Sequence, residues 1–474
     1  MPAAYDPCSE PVIGTHSGSS SVAERLAAGK ALRHRLRRSD HGIYTLAPNR
    51  VDPLELLMAQ DTGRLPELVP IRYGRMLASP FAFFRGAAAV AIADLAPAPT
   101  TGLYVQACGD MHGSNFGVFA SAERNLVFAI NDFDETYPGP WEWDLKRLAA
   151  SAVVAGRYLG CDRSRCQAAV RAVVTSYCEH LHTYAAMGYL DIWYDTITEA
   201  ELLAKLPADN GKDAQRMLAK ARDRTHLQVL DEMTNLIDDR HHIVEDPPLV
   251  VRAATLGDAP TALAAVTSLM QSYAASLSGD RRLLLSRYHL VDVAHKVVGV
   301  GSVGTRCWVV YLEGRDAGDP LFLQVKEAQP SVLAPYADPL CGDRLPDSHQ
   351  GKRVVMGQRL IQGSPDIFLG WGEFEGTHYY VRQLRDMKGG FKLEPEKFQA
   401  ATLPDYFALC GWALALAHAK SGDAAMLAGY TGKGNSLAEA LVTFAEAYAD
   451  QTEQDYDRLV AAARQGRIAA TYEV

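Results

Sequence analysis

The sequence predicts an α+β fold in two lobes, a small antiparallel β lobe and a larger helical lobe. Three observations carry that prediction. Trp141–Tyr158, Ser164–Met187 and Glu199–Asp238 show helical periodicity. From Leu284 the pattern changes to β-branched runs: Lys296-Val-Val-Gly, Cys307-Trp-Val-Val-Tyr-Leu312 and Pro320-Leu-Phe-Leu-Gln-Val325, with the polar turn Glu313–Asp319 between the last two. Helical periodicity returns over Pro404–Lys420 and Ser436–Arg467. At 474 residues and 48% hydrophobic content, the chain is long enough for two or three units with sizeable cores.

Taken in order, residues 1–22 are rich in Ser, Gly and Pro and open an N-terminal arm (1–59) expected to be partly disordered. Its basic run Lys30–Arg38 reads as a solvated helix. Residues 60–284 form the helical lobe. There Phe81, Phe83 and Phe84 read as core anchors ahead of an Ala-rich apolar helix ending near Leu95, and Val105–Cys108 as a short buried strand. Phe116–Phe119 and Leu126–Ile130 flank the polar Ser121–Asn125, a hairpin signature that brings Asp132 back towards Asn115. Pro138-Gly-Pro140 is expected to stop any regular element. Residues 285–395 form the β lobe, with a helix at His349–Gln362 and a further strand at Thr377–Gln383, and residues 396–474 complete the helical lobe.

Composition excludes several roles. A net charge of −9 argues against a nucleic-acid partner, which needs a basic face to gain affinity by counterion release. No apolar run of about 18 residues appears and the N-terminus lacks a secretory pattern, so no membrane partner and a cytoplasmic location are expected. Eight dispersed cysteines suit reduced thiols. Cys161, Cys166, Cys178, His180 and His182 lack a C-x2-C pair and read as ordinary helix residues rather than a zinc site.

The chemistry lies in two constellations. Asp110 and Asn115, in Gly109-Asp-Met-His-Gly-Ser-Asn115, have the D-x-x-x-x-N spacing of a phosphotransferase loop: the Asp takes the acceptor's proton and the Asn carbonyl takes a hard Mg2+ ion. Asp132, beyond the hairpin, supplies a second metal carboxylate. The other constellation is Gly299-Val-Gly301-Ser302-Val-Gly304, a phosphate flap between strands, followed by Lys326 at a strand end as the phosphate-binding lysine. A dinucleotide-binding turn would instead require a following helix. The Asp110 loop precedes the glycine-rich loop, so relative to a protein kinase the chain order reads as circularly permuted.

The segments Arg75-Met-Leu-Ala-Ser-Pro-Phe-Ala-Phe-Phe-Arg85-Gly, Gly109–Gly117, Asn131-Asp-Phe-Asp-Glu-Thr-Tyr-Pro-Gly-Pro-Trp-Glu-Trp-Asp-Leu-Lys-Arg147 and Gly357-Gln-Arg resemble the bacterial domain-of-unknown-function family numbered 2252, over roughly residues 20–465. Its central motif is in turn similar to the aminoglycoside phosphotransferase and protein-kinase-like superfamily. That resemblance implies a permuted, two-lobed kinase-like fold binding ATP and Mg2+, with Asp110 as base, Asn115 and Asp132 as metal ligands and Asp144 as the carboxylate supporting the loop. Cys108 stands where the superfamily has His, and Asp134 stands where protein kinases have the Gly of D-F-G, adding a possible metal ligand. The helix 348–362, implied to carry the acidic partner of Lys326, contains no Asp or Glu, which leaves Gln358, or Asp347 just outside it, to face the lysine. His112 is expected to hydrogen-bond within its loop, and Arg85 to form an internal ion pair with Asp144 or to meet a phosphate.

The expected function is ATP- and Mg2+-dependent phosphoryl transfer to a hydroxyl or amine of a small-molecule acceptor. The short Asp132–Asp144 segment leaves little room for a regulatory loop, and so favours a small molecule over a protein acceptor. The alternatives are transfer of AMP on the same fold, or a non-catalytic nucleotide-binding protein. The sequence names neither the acceptor nor the oligomeric state.

Overall fold

In the computed structural model, residues 20–206, 208–224, 226–238, 240–255, 259–341, 348–384 and 387–472 are described. The disorder expected of residues 1–22 falls mainly outside that range. Long helices and antiparallel sheets together make a mixed α+β fold.

Four short strands frame the segment of Asp110 and Asp132. β1 (Tyr104–Ala107), β2 (Phe116–Ala120), β3 (Leu126–Ile130) and β4 (Tyr137–Pro140) pair as β1 with β4 and β2 with β3, both antiparallel. The hairpin read from the alternation at 116–130 is therefore present, its turn closed by Ser121 N–H on the Asn125 carbonyl at 2.8 Å. Pro138-Gly139-Pro140 lies within β4 instead of ending regular structure. The β1–β4 sheet has only two strands, so the proline nitrogens that cannot donate need no partner on the open side.

The helix Trp141–Tyr158 starts directly after β4 and is buried along almost its whole length. It and the helix Arg163–Ala185 pack with Leu403–Ser421 and Asn435–Arg464 around the largest core. Among the described residues, Ala400–Ser421 is the helical stretch long and apolar enough to cross a membrane, and 72% of its apolar window is buried in this core. A helix apolar on all sides is what a central core position requires.

The expected long helix Glu199–Asp238 is broken. β5 (Ile197–Thr198) joins β3, and the helices Glu199–Lys205, Ala208–Asp223 and His226–Met233 follow. Leu206 precedes a proline and takes extended angles (φ −93°, ψ 136°), which ends the first of them. The last gives way to a hairpin, β6 (Thr234–Ile237) and β7 (Arg240–Ile243), where Asp238 adopts φ +50°.

A six-stranded antiparallel sheet completes the fold. Its strands are β8 (Val250–Arg252), β9 (His289–Lys296), β10 (Cys307–Glu313), β11 (Pro320–Glu327), β12 (Gly370–Phe374) and β13 (Thr377–Gln383), in the spatial order β12-β13-β11-β10-β9-β8. The run Lys296-Val-Val-Gly marks the end of β9 and not a strand of its own. β12 escapes a hydrophobic-pattern reading because it contains Gly370 and Gly372. A Cβ on Gly370 would lie 2.6 Å from the Ser276 hydroxyl and one on Gly372 2.8 Å from that of Ser272, so these glycines let the helix Ala259–Ser276 lie against the strand. The helix Gln350–Ile361 packs across β12 and β13.

The basic run Lys30–Arg38 is not a solvated helix. The helix there is Val22–Ala31, and Arg33 and Arg38 donate to the carbonyls of Gly429, Tyr430 and Thr431 at the end of the helix Ala424–Thr431. Cations at a helix C-terminus are favoured by its dipole.

Candidate functional site

The Asp110 loop leaves β1 through Gly109, whose φ of +84° and close approach to the Glu135 carbonyl (2.7 Å from an added Cβ) admit no side chain. Asp144, in the first turn of Trp141–Tyr158, braces it by accepting the N–H groups of Cys108 and Gly109 at 2.7 and 2.9 Å. Behind Asp144 stands His418, 3.3 Å away through Nε2, itself 2.8 Å from the Tyr177 hydroxyl through Nδ1. Asp144 is thus committed to backbone and His418, and its expected pairing with Arg85 is absent.

One helical turn further, Arg147 donates from Nε and Nη2 to Oδ1 of Asp110 at 3.0 and 2.5 Å. This contact was missed in the sequence, although the i, i+3 spacing from Asp144 puts both on one helix face. Asp110 keeps 25% of its side chain exposed. Its Oδ2 lies 3.7 Å from Nε2 of His112, too far for a hydrogen bond. Burial pulls His112 down to about 4; Asp110 opposes this, and Arg85 and Arg147 add to it, so the ring is neutral. Asn115 donates from Nδ2 to the Asp110 carbonyl at 3.0 Å, which leaves its side-chain oxygen for a cation. The Asn131 N–H reaches the Asn115 carbonyl at 3.0 Å, so the hairpin carries Asp132 back to Asn115.

Burial would raise the Asp132 carboxyl, but Lys326, Arg382 and the Asp134 N–H outweigh it and hold the group at about 2, fully ionised at neutral pH. Asp134 has a different part. Its Oδ2 forms an ion pair with Lys326 and its Oδ1 accepts the Tyr380 hydroxyl at 2.7 Å. Asp134 is therefore the acidic partner that Lys326 meets. Burial opposes the Lys326 charge, but Asp134, Tyr380 and Asp132 more than offset it and raise the ammonium above its ordinary value. Gln358 does not face the lysine. It donates to Gln362 at 2.6 Å and lines a separate cavity with Asn131 and Arg382; Asp347 lies outside the described residues.

The helix Gln350–Ile361 acts through Arg353 instead. Its buried guanidinium donates to the carbonyls of Thr136 (2.6 Å), Asp134 (2.9 Å) and Gln329 (2.8 Å), tying the Asp132 segment to the stretch just beyond β11. The glycine-rich loop joins β9 to β10 and is held by Arg75 on the Gly299 carbonyl (2.5 Å), Arg64 on that of Val303 (2.5 Å) and the Leu65 N–H on that of Gly304 (2.8 Å).

These segments enclose a cleft of about 1010 Å3, counting space open to solvent. Arg85, Asp110, His112, Asn115, Asp132 and Asp134 line it, and Gly299, Gly301 and Ser302 form its rim. Gly304 packs on Arg64 behind the rim, Lys326 sits behind Asp134, and Asp144 lies beneath the loop. Glu135 also faces the cleft; burial raises its carboxyl to about 7 against the Val332 N–H. Away from the cleft, Ala294, Val309, Tyr311 and Phe322 on the sheet are covered by Val229, Leu230 and Met233 of the helix His226–Met233. The ionised Asp132 and the Asn115 oxygen both line this cleft, and hard oxygen donors are the kind that Mg2+ takes.

The cysteine- and histidine-rich helix makes no comparable centre. Cys178 is buried, His182 meets the Gly432 carbonyl and His180 stacks on Trp412. Elsewhere His349, Glu373 and His378 come together. There the Nδ1 atoms of both rings accept backbone N–H groups, from Lys352 and Gln350. In a neutral ring that puts the proton on Nε2, so neither nitrogen offers a metal a lone pair.

Fold and site define a mixed α+β protein whose polar, carboxylate-rich cleft unites a helix-braced loop with a lysine-bearing antiparallel sheet. The chain belongs to the family of uncharacterized proteins conserved in bacteria, DUF2252, which it matches over residues 64–462. Comparison with curated proteins and with solved structures returns no match.

Proposed function

We propose that this protein is an ATP- and Mg2+-dependent phosphotransferase of permuted, two-lobed kinase-like architecture, acting on a hydroxyl or amine of a small-molecule acceptor. The observation that carries the reading is the Lys326–Asp134 ion pair. It joins residues 192 positions apart and places the lysine beside the cleft that Asp110, Asn115 and Asp132 line. The order of parts supports it: a glycine-rich turn between two antiparallel strands, a lysine on the next strand, then a helix across the sheet.

In this reading the rim Gly299–Ser302 covers the phosphates and Lys326 lends them positive charge. Asp132 and the Asn115 oxygen would hold Mg2+, which would supply positive charge against that developing on the transferred group. Arg147 fixes Asp110 through Oδ1, so Oδ2 is the atom that takes the acceptor's proton as its oxygen or nitrogen bonds to the γ-phosphorus and ADP leaves. Asp134 supplies an acidic partner that holds the Lys326 ammonium in place beside the phosphates. The test is incubation with α- or γ-labelled ATP and an acceptor panel: γ-label in product supports the reading, α-label replaces it with nucleotidyl transfer, and nucleotide binding without any product favours the non-catalytic alternative.

A further inference from the structure

The cavity that Gln358 lines and the cleft of Asp110 share no lining residue: Asn131 borders the one and its neighbour Asp132 the other. Consecutive side chains of an extended segment point to opposite sides, which is how the end of β3 comes to serve both. The cavity measures about 870 Å3, counting space open to solvent. Among the described residues its charged lining is Arg124, Arg382 and Lys388 against the single carboxylate of Asp366. That carboxylate already accepts the N–H groups of Phe368 and Gln383, at 2.9 and 2.5 Å. In a chain of net charge −9, this is a local excess of positive charge, and a concave surface lined by one sign of charge concentrates counter-ions.

The scaffold fixes where these cations stand. Lys388 is flanked by Met387, whose N–H donates to the Arg224 carbonyl at 2.9 Å, and by Gly389, which exchanges two 2.9 Å hydrogen bonds with Val118 of β2. Arg124 is exposed and closes the β2–β3 turn through its N–H on the Ser121 carbonyl at 2.9 Å. Arg382, near the end of β13, donates from Nε to Gln324 at 3.0 Å and from Nη1 to the Asn131 carbonyl at 3.3 Å, while Nη2 makes no hydrogen bond to a described residue. Arg382 and Lys388 are half-buried and line the cavity, so a ligand there can reach them. Charged groups held in place beforehand bind with less ordering cost.

We propose that this cavity is a second binding site, for a small hydroxylated phosphate monoester of the sugar-phosphate type. Three cations against one carboxylate suit the roughly two negative charges of a phosphate monoester better than the single charge of a carboxylate. Two guanidiniums offer forks to its oxygens, and the amides of Asn131 and Gln383 in the same lining suit its hydroxyls. Asp110 lines only the other cleft, so the ester bound here is a separate ligand and not the acceptor. The site stands independently of the phosphotransfer reading.

The experiment titrates glucose 6-phosphate into the intact protein in about 0.15 M salt, where screening weakens loose surface attraction, and follows binding by calorimetry. Inorganic phosphate, acetate and glucose are parallel arms. Expected is one equivalent of glucose 6-phosphate bound, with acetate and glucose weaker by about tenfold or more. Arg124→Gln and Lys388→Gln, neither of which lines the Asp110 cleft, should each weaken the ester by about tenfold, the loss of one charge-assisted hydrogen bond. An unchanged melting temperature shows that each variant folds; if Lys388→Gln does not, Arg124→Gln on its exposed turn carries the comparison. Saturating Mg2+ with a non-hydrolysable ATP analogue should leave the ester's affinity within about twofold. The proposal is overturned if neither glucose 6-phosphate nor inorganic phosphate binds the folded wild type, if acetate binds as tightly, if both variants bind the ester as wild type does, or if the analogue displaces it, which would give the cavity to the nucleotide. Failure of the analogue to bind at all sinks the phosphotransfer reading and leaves this site standing.

Discussion

Asp110 is gripped at one oxygen and open at the other, and this asymmetry determines what substitutions there will do. Asn at position 110 keeps a carbonyl for Arg147 but cannot take a proton, so Asp110→Asn should lower turnover by about 10²–10⁴ with nucleotide affinity nearly unchanged. Steady-state rates beside calorimetric ATP binding check this; retained turnover would remove Asp110 as base. Glu135 gives a pH signature. Its carboxyl is raised to about 7, above the ordinary value, so its stabilising contribution is full below about pH 4.3 and is lost as pH rises through 7. Glu135→Gln should therefore gain on wild type by about 3 kcal/mol between pH 4 and 8 in denaturant titrations; parallel curves would refute the assignment. The lowered Asp132 acts in the opposite sense: its contribution is present above about pH 4 and fades as pH falls towards 2. At this scale the meeting of Asp110, Asn115 and Asp132 in one cleft was legible, because a short loop and a hairpin fix local distances. The partners Arg147 and Asp134 were not, since only the packed fold says which oxygen meets which nitrogen.

The helix Gln350–Ile361 matters through a residue other than the one its sequence suggested. Gln358 turns to Gln362, whereas Arg353 gathers three carbonyls from two segments and so sets where Asp132 and Asp134 stand. Arg353→Ala should cost more than about 3 kcal/mol by leaving buried carbonyls unpaired, and Arg353→Lys should recover only part because an ammonium cannot span the same fork. Denaturant unfolding measures the loss, and amide exchange should show faster opening at 133–137; unchanged protection there would deny the tie. Helices with clear periodicity, Trp141–Tyr158 above all, were readable to the residue. The failures have physical causes. β4 holds two prolines but donates on one side only, β12 holds glycines that make room for a helix, and the stretch after Glu199 has helical composition broken by a proline and a hairpin.

For the whole molecule, the reading stands or falls on joint binding of nucleotide and metal. At about a hundred times its dissociation constant, ATP with Mg2+ should stabilise the protein by about 2.7 kcal/mol. Melting scans with ATP, Mg2+ and both should show a rise that needs both components, and Asp132→Ala should abolish it; no rise in the folded wild type would leave the function elsewhere. The sequence by itself determined the mixed α+β class, the helix and strand types of the strongly periodic segments, and the local loop and hairpin that put Asp110, Asn115 and Asp132 together. These follow from periodicity and short-range geometry, which act over a few residues. Only the tertiary structure decided that Asp134 neutralises Lys326, that Arg147 grips Asp110 and that Arg353 fastens the Asp132 segment. Those pairings join distant parts of the chain, and burial selects among the many charges that composition alone would allow.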